Sequence, residues 1–257
     1  MQTPTEIIGH ATEQPASLDR REVLKSAAAG LAAGIAIGGA ATARAQSRAP
    51  AAPQITAESF KDSHQPKPLP FDTAKLNGLS ARLLESHWTN NYGGSVRALN
   101  DVKKRLAEAL AVADLPAYVY NGLKREHLMR TGSVVLHELY FENLGGNGRA
   151  DDAARRFIAK GFGEFSRWES EFRRISAGLG GGSGWVVLGY NRHFGTLENY
   201  WLADHLHGAA AATPLLVIDM YEHSYAIDFG AAAARYIDAF FNNVNWERVL
   251  ARIEAAG

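Results

Sequence analysis

Residues 213–228 read TPLLVIDMYEHSYAID. Leu215, Leu216, Val217 and Ile218 form an unbroken apolar run after a Thr-Pro start, which predicts a short strand buried on both faces. The run ends at Asp219, and Glu222 and His223 follow closely. Ionisable side chains at the end of a buried strand need partners, because an unpaired buried charge is expensive. A metal ion is one such partner, with Asp219 as an oxygen ligand and His223 as a nitrogen ligand. The alternative is an Asp219 that caps a following helix and a His223 satisfied in the interior.

The chain has 257 residues and a formal net charge of zero, so nothing in its charge points to nucleic acid or an anionic membrane as partner. It contains no cysteine, which excludes disulfides, thiolate metal sites and thiol nucleophiles together. A metal site here must be built from His, Asp or Glu.

Arg20-Arg21-Glu22-Val23-Leu24-Lys25 is a twin-arginine pattern. An uncharged Ala/Gly/Ile stretch follows over 27–41, then a small-x-small site at Ala43-Arg44-Ala45. That order is the order of a secretory signal cleaved before Gln46. The Arg pair gives it the form of a twin-arginine signal, which exports folded proteins to the bacterial periplasm or cell envelope. The apolar stretch is short and rich in Gly and Ala for a spanning helix, so no membrane association is expected of the mature form. Residues 1–45 are therefore set apart as a signal peptide, and 46–70, rich in Ala, Pro and Gln, as an extended lead-in.

Helical periodicity runs over 76–110, where Leu76, Leu79, Leu83, Leu84 and His87 fall on one face. Asn91 and Ser95 share the face of His87, and Gly93-Gly94 predicts a kink or break. A second helix is expected over 121–143, with Ser133, His137 and Tyr140 on one face. Gly145-Gly146-Asn147-Gly148 ends it. Two long helices joined by a short loop make an antiparallel hairpin, which brings His87 and His137 to the same side. Further helices are expected over 151–160, 164–177, 231–242 and 246–255, and strands over 185–190, 196–202 and 214–218. The loop GLGGGSG at 178–184 lacks a Walker lysine and a dinucleotide fingerprint, so it reads as backbone turning.

Four residues stand out: His87 and His137 on the helices, and Asp219 and His223 at the strand end. Three neutral imidazoles and one carboxylate suit Fe, Mn or Zn. From residue 67 onward the chain resembles the iron/manganese superoxide dismutases. The resemblance rests on Glu85-Ser86-His87, His137, Gly182-Ser183-Gly184-Trp185, Asp219-Met220-Tyr221-Glu222-His223 and Val244-Asn245-Trp246-Glu247. It implies an α+β fold, with a helical hairpin domain over 71–148 and an α/β domain with a three-stranded antiparallel sheet over 149–257. It implies one Fe or Mn per subunit on His87, His137, Asp219 and His223, a solvent molecule in a fifth position, and superoxide as substrate. It also implies a homodimer in which Glu222 reaches the ligand His223 of the partner.

The departures from that family surround the ligands. Its entrance tyrosine is here Ser95, its histidine four residues after the first ligand is Asn91, and its tyrosine after the last ligand is Ala226. The family's solvent-binding glutamine corresponds to Ser133 or to Gly181, and neither is an amide. The aromatic within the strand-end motif, usually Trp, is Tyr221; Tyr140 and Trp185 remain. Three readings stay open at this point. One is a superoxide dismutase with reduced turnover, and another a metal-binding relative with weak or no such activity. The last is a zinc hydrolase with Glu138 or Glu222 as base. His205 and His207, in DHLHG, read as part of a connecting loop; the alternatives are that they assist a second metal or supply a donor in place of the missing amide.

The export signal has a direct test. Changing both Arg20 and Arg21 to Lys is expected to leave uncleaved precursor inside the cell, read by fractionation and immunoblot. Mature protein outside the cytoplasm of that variant would overturn the assignment.

Overall fold

Ser80 sets the start of the first long helix. Its Oγ accepts the Leu83 amide at 3.1 Å, while its own amide and hydroxyl bind the Asp228 carboxylate at 2.7 and 2.6 Å. The computed structural model describes residues 57–256. The signal read at 1–45 and the start of the lead-in lie outside the described residues.

The helix comprises α1 (Ala81–Ser86), a π-helical stretch (His87–Tyr92) and α2 (Gly93–Leu110). The break expected at Gly93-Gly94 does not occur, because both glycines continue the helix as its α2 segment. The irregularity lies just before them, where the Gly93 amide reaches the Trp88 carbonyl. A π turn widens the helix locally and re-aims the side chains it carries. Here it buries both His87 and Tyr92. The helix also starts later than residue 76, because Gly78 sits at φ +82° and Ser80 takes the cap.

The second helix, α3 (Ala117–Glu142), begins directly after Pro116, earlier than residue 121. It packs on α2 along one side and on the sheet along another. Helices α4 (Asp152–Phe162) and α5 (Phe165–Leu179) follow, with Asp151 capping α4 through the Ala154 amide at 2.8 Å. The sheet is antiparallel, as expected, in the order β2-β1-β3: β1 (Trp185–Asn191), β2 (Thr196–Leu202) and β3 (Ala212–Asp219). The β1–β2 connection falls where the sequence placed it, with Asn191 Oδ1 accepting the His193 and Phe194 amides. A short α6 (Ala226–Phe229) and the longer α7 (Ala233–Asn242) and α8 (Trp246–Ala256) close the fold.

β3 lies at an edge of the sheet, yet Leu215 to Ile218 are fully buried. An edge strand leaves alternate carbonyls unpaired, and burying them requires other donors. Asn143, at the end of α3, donates to the Val217 carbonyl at 2.9 Å, and Arg252 on α8 donates to the Leu215 carbonyl at 2.9 Å. Arg252 also binds Asn143 Oδ1 and the Glu142 carboxylate. The last turn of α3 and the last strand are thus tied through side chains, which fixes His137 relative to Asp219. Among the described residues no helix is long and apolar enough to cross a membrane.

Candidate metal centre

β3 ends on Asp219, which lies opposite Trp185 in the sheet register. Its carboxylate is fully buried, and one oxygen, Oδ1, is taken by the Tyr221 amide at 2.9 Å. The other, Oδ2, faces three imidazoles. His87 Nε2 and His223 Nε2 lie 3.2 Å from it and His137 Nε2 lies 3.6 Å from it. One donor atom from each of the four residues falls within 4.8 Å of the others. The structure therefore brings together the four residues that the sequence singled out: two from the hairpin, two from the strand end.

The donor set fits a metal ion. His87 Nε2 and His137 Nε2 are buried and make no hydrogen bond among the described residues, although an acceptor is close. Buried polar atoms without partners are rare, and nitrogen lone pairs converging on one point beside a carboxylate suit a cation. Burial, with His87 beside it, pushes His137 down to about 3. Burial also lowers His87, against the pull of Asp219. Burial would raise the Asp219 carboxyl, but the imidazoles, His223 first, hold it well below the usual carboxylate range. Near neutral pH His87 and His137 are thus neutral imidazoles beside an ionised Asp219, the protonation states a metal requires.

The surrounding residues hold these groups in place. His137 Nδ1 donates to the Ser133 carbonyl at 2.7 Å, which keeps the proton on Nδ1 and leaves Nε2 free. The Tyr236 hydroxyl donates to the Asp219 carbonyl at 2.7 Å and lies 3.2 Å from the Tyr140 hydroxyl. Tyr140 and Phe141 pack against the His87 ring at 5.2 and 5.1 Å. Tyr92, buried by the π turn, donates to Glu138 Oε1 at 2.9 Å and accepts the Lys67 amide at 2.8 Å. Lys67 closes that side with an ion pair to Glu138 at 2.6 Å. Glu138 is therefore engaged on the side of the lead-in, and Glu222 is exposed at the surface. Neither is placed as a base beside the metal, which removes the hydrolase reading.

A cavity of about 420 Å³ leads to the imidazoles of His137 and His223. Asn91, Ser95, Ser133 and Tyr221 line it as the sequence suggested, and Ser95 Oγ and Ser133 Oγ are hydrogen-bonded at 2.8 Å. Gly181 does not line it: its amide donates to the Tyr225 hydroxyl and its φ is +80°. A residue there would be strained, so Gly181 is corrected to a turn residue rather than a counterpart of the missing amide. His205 does line the cavity. Trp185 Nε1 donates to His205 Nδ1 at 2.9 Å, and the His205 ring stacks on Tyr221 at 4.7 Å. The approach is close on the other side as well, since a Cβ on Gly132 would meet the His205 carbonyl at 2.0 Å. Nothing periodic in DHLHG marked His205 over His207. His207 instead binds Asp204 at 2.8 Å, half exposed.

Comparison with known proteins agrees with this geometry. Residues 150–252 match the model of the family described as iron/manganese superoxide dismutases, C-terminal domain. The chain is 49% identical to a protein of Cupriavidus metallidurans named an iron superoxide dismutase, over 75% of this chain and 98% of that protein. It is 34% identical to an iron superoxide dismutase of Aquifex aeolicus over 70% of this chain and 87% of that protein. It is 32% identical to a manganese superoxide dismutase of Halobacterium salinarum over 74% of this chain and 94% of that protein.

Loss of one ligand opens the cage to water. His137→Ala and Asp219→Ala are each expected to yield largely metal-free protein by inductively coupled plasma mass spectrometry, against about one Fe or Mn per chain in the parent. Full occupancy in either variant would remove that residue from the centre.

Proposed function

The chain belongs to the iron/manganese superoxide dismutase family, and on that premise we propose how its own residues carry the reaction. Its activity is the conversion of two superoxide ions and two protons to dioxygen and hydrogen peroxide, with one Fe or Mn per subunit. The observation that carries the reading is the convergence of three Nε2 atoms on one oxygen of the buried Asp219. We assign the metal to His87, His137, Asp219 and His223. When bound, the metal supplies a one-electron couple that takes an electron from one superoxide and returns it to the next.

The protein supplies charge, position and a proton donor. The Asp219 carboxylate offsets cationic charge; the Tyr221 amide keeps it aimed, and the Tyr236 hydroxyl fixes the backbone carbonyl of the same residue. His205 takes the place of the absent amide. Indole N–H is only a donor, so the contact from Trp185 makes His205 Nδ1 the acceptor. A neutral His205 then carries its proton on Nε2, and burial keeps this residue neutral by lowering its basicity. It offers one N–H to the cavity, as a glutamine amide would. On this reading turnover is not lost with the family glutamine, and the weak-activity alternative is not favoured.

Superoxide decay followed by pulse radiolysis on metal-loaded protein tests this. The parent is expected to dismute. His205→Ala is expected to be slower by roughly 10–100-fold, as for other losses of a residue that orients a metal site, with a shifted redox potential. Ser133→Gln is expected to change turnover less. A His205→Ala variant as fast as the parent would remove His205 from this role. No decay above that of free metal in the parent would overturn the dismutase reading itself.

We further propose a two-fold dimer acting in the cell envelope. The envelope location rests on the twin-arginine pattern at Arg20-Arg21. The dimer rests on two neighbouring residues: the exposed Glu222 carboxylate makes no hydrogen bond or ion pair among the described residues, and the ligand His223 is a quarter exposed with Nδ1 unengaged there. A carboxylate from a second copy would complete that imidazole. The parent is expected to run as a dimer in light scattering, and Glu222→Ala to weaken both assembly and metal retention. A fully active monomeric parent would refute the arrangement.

A further inference from the structure

The cavity over the metal centre is larger than its substrate needs. Superoxide is diatomic, whereas the space is about 420 Å³. Among the described residues its lining includes no Asp or Glu, and it holds several hydrogen-bond donors. One of them is a full positive charge. Arg130 stands on α3 one turn before Ser133 and two turns before His137, and so faces the same way. Its Nε is bound to Glu126 at 2.7 Å, and the side chain is 32% exposed. Its two terminal NH2 groups have no partner among the described residues.

The serine pair lines the same cavity. Ser95 and Ser133 hold two hydroxyl protons between them, and their mutual contact at 2.8 Å uses one. The weaker approach of Ser133 Oγ to His137 Nδ1, at 3.3 Å, consumes no hydroxyl proton, because His137 donates. One O–H is therefore unspent whichever serine donates to the other. His205 adds the N–H on Nε2. A guanidinium edge matches a planar carboxylate group with two parallel hydrogen bonds, and a hydroxyl can serve the same group from below.

We propose that this cavity is a binding site for a small planar oxyanion carrying a –CO2− group, either bicarbonate or a short carboxylate, held by Arg130 and the Ser95–Ser133 hydroxyls. Such an anion occupies the approach used by superoxide and competes with it. Glu126 sets the affinity from outside by neutralising part of the Arg130 charge. Only the effect on turnover rests on the dismutase reading; the binding does not.

The test is calorimetric titration of the full chain, metal-loaded and metal-free, with bicarbonate and with acetate as separate arms. Saturable binding is expected in both metal states. Arg130→Gln is expected to weaken it by about tenfold or more, as for loss of a charge-assisted pair. Arg130→Lys should fall between, Ser95→Ala with Ser133→Ala should weaken it, and Glu126→Gln should strengthen it. Response to one arm alone assigns the site to that source. Binding that is absent, that is unchanged in Arg130→Gln, or that appears only in metal-loaded protein would overturn the proposal; in the last case the metal itself is the site. Anion binding without superoxide decay would sustain this site and sink the dismutase reading, whereas decay without anion binding would do the reverse.

Discussion

An ionised carboxylate with no exposure to water is the constraint on which the structure turns. Asp219 sits at the end of a strand whose four preceding residues, Leu215 to Ile218, are apolar and buried. A bare carboxylate in that position would be too costly to keep charged. It remains charged because three imidazoles and one backbone amide share its two oxygens. Everything that delivers those imidazoles is therefore needed for folding as well as for catalysis. The π turn aims His87, the packing of α3 on β3 aims His137, and the short turn after β3 aims His223. The ties from Asn143 and Arg252 to the β3 carbonyls belong to the same scheme, since they hold the helix bearing His137 against the strand bearing Asp219.

The four converging residues and the sheet were legible in the sequence for local reasons. A short apolar run ending in Asp, with His four residues on, leaves few ways to satisfy its charges. The β1–β2 turn is written in Asn191 and Gly195, and the helix faces in their leucines. The π turn was not legible. Its helix looks α-helical by spacing alone, and the wider turn is stabilised by contacts from elsewhere: Trp88 and Tyr92 are both held by Lys67, far from them in sequence. The expectation of a break at Gly93-Gly94 put the irregularity in the right region and attributed it to the wrong residues. Gly181 failed for a related reason. Position relative to GSGW gave no information about the backbone, and a positive φ turned that residue away from the cavity.

The departures around the ligands read differently once their contacts are known. Ser95 and Ser133 stand where the family resemblance placed a tyrosine and a glutamine, and they bond to each other. Shrinking one side chain alone would have left its partner's polar atoms buried without a contact, which is costly. Shrinking both keeps the pair satisfied and opens space. Asn91, in place of a histidine, adds to that space without adding charge. The result is a polar cavity beside the four converging residues His87, His137, Asp219 and His223.

That cavity has room for a side chain from a loop, and His205 takes it. A glutamine at position 133 would extend from α3 into the space that His205 now borders. With Ser133 there instead, the loop after β2 can press against α3, and Gly132 permits it, since any side chain at that position would collide with the His205 carbonyl. The imidazole is then fixed on two sides, by the Trp185 N–H in its plane and the Tyr221 ring on its face. Tyr221 in turn stacks on the ligand His223 at 5.2 Å. A tryptophan would present a larger face at that point, so the smaller Tyr221, the inserted His205, the small Ser133 and the bare Gly132 form one coordinated change. Together they place an imidazole at the wall of the cavity from a different element of the fold.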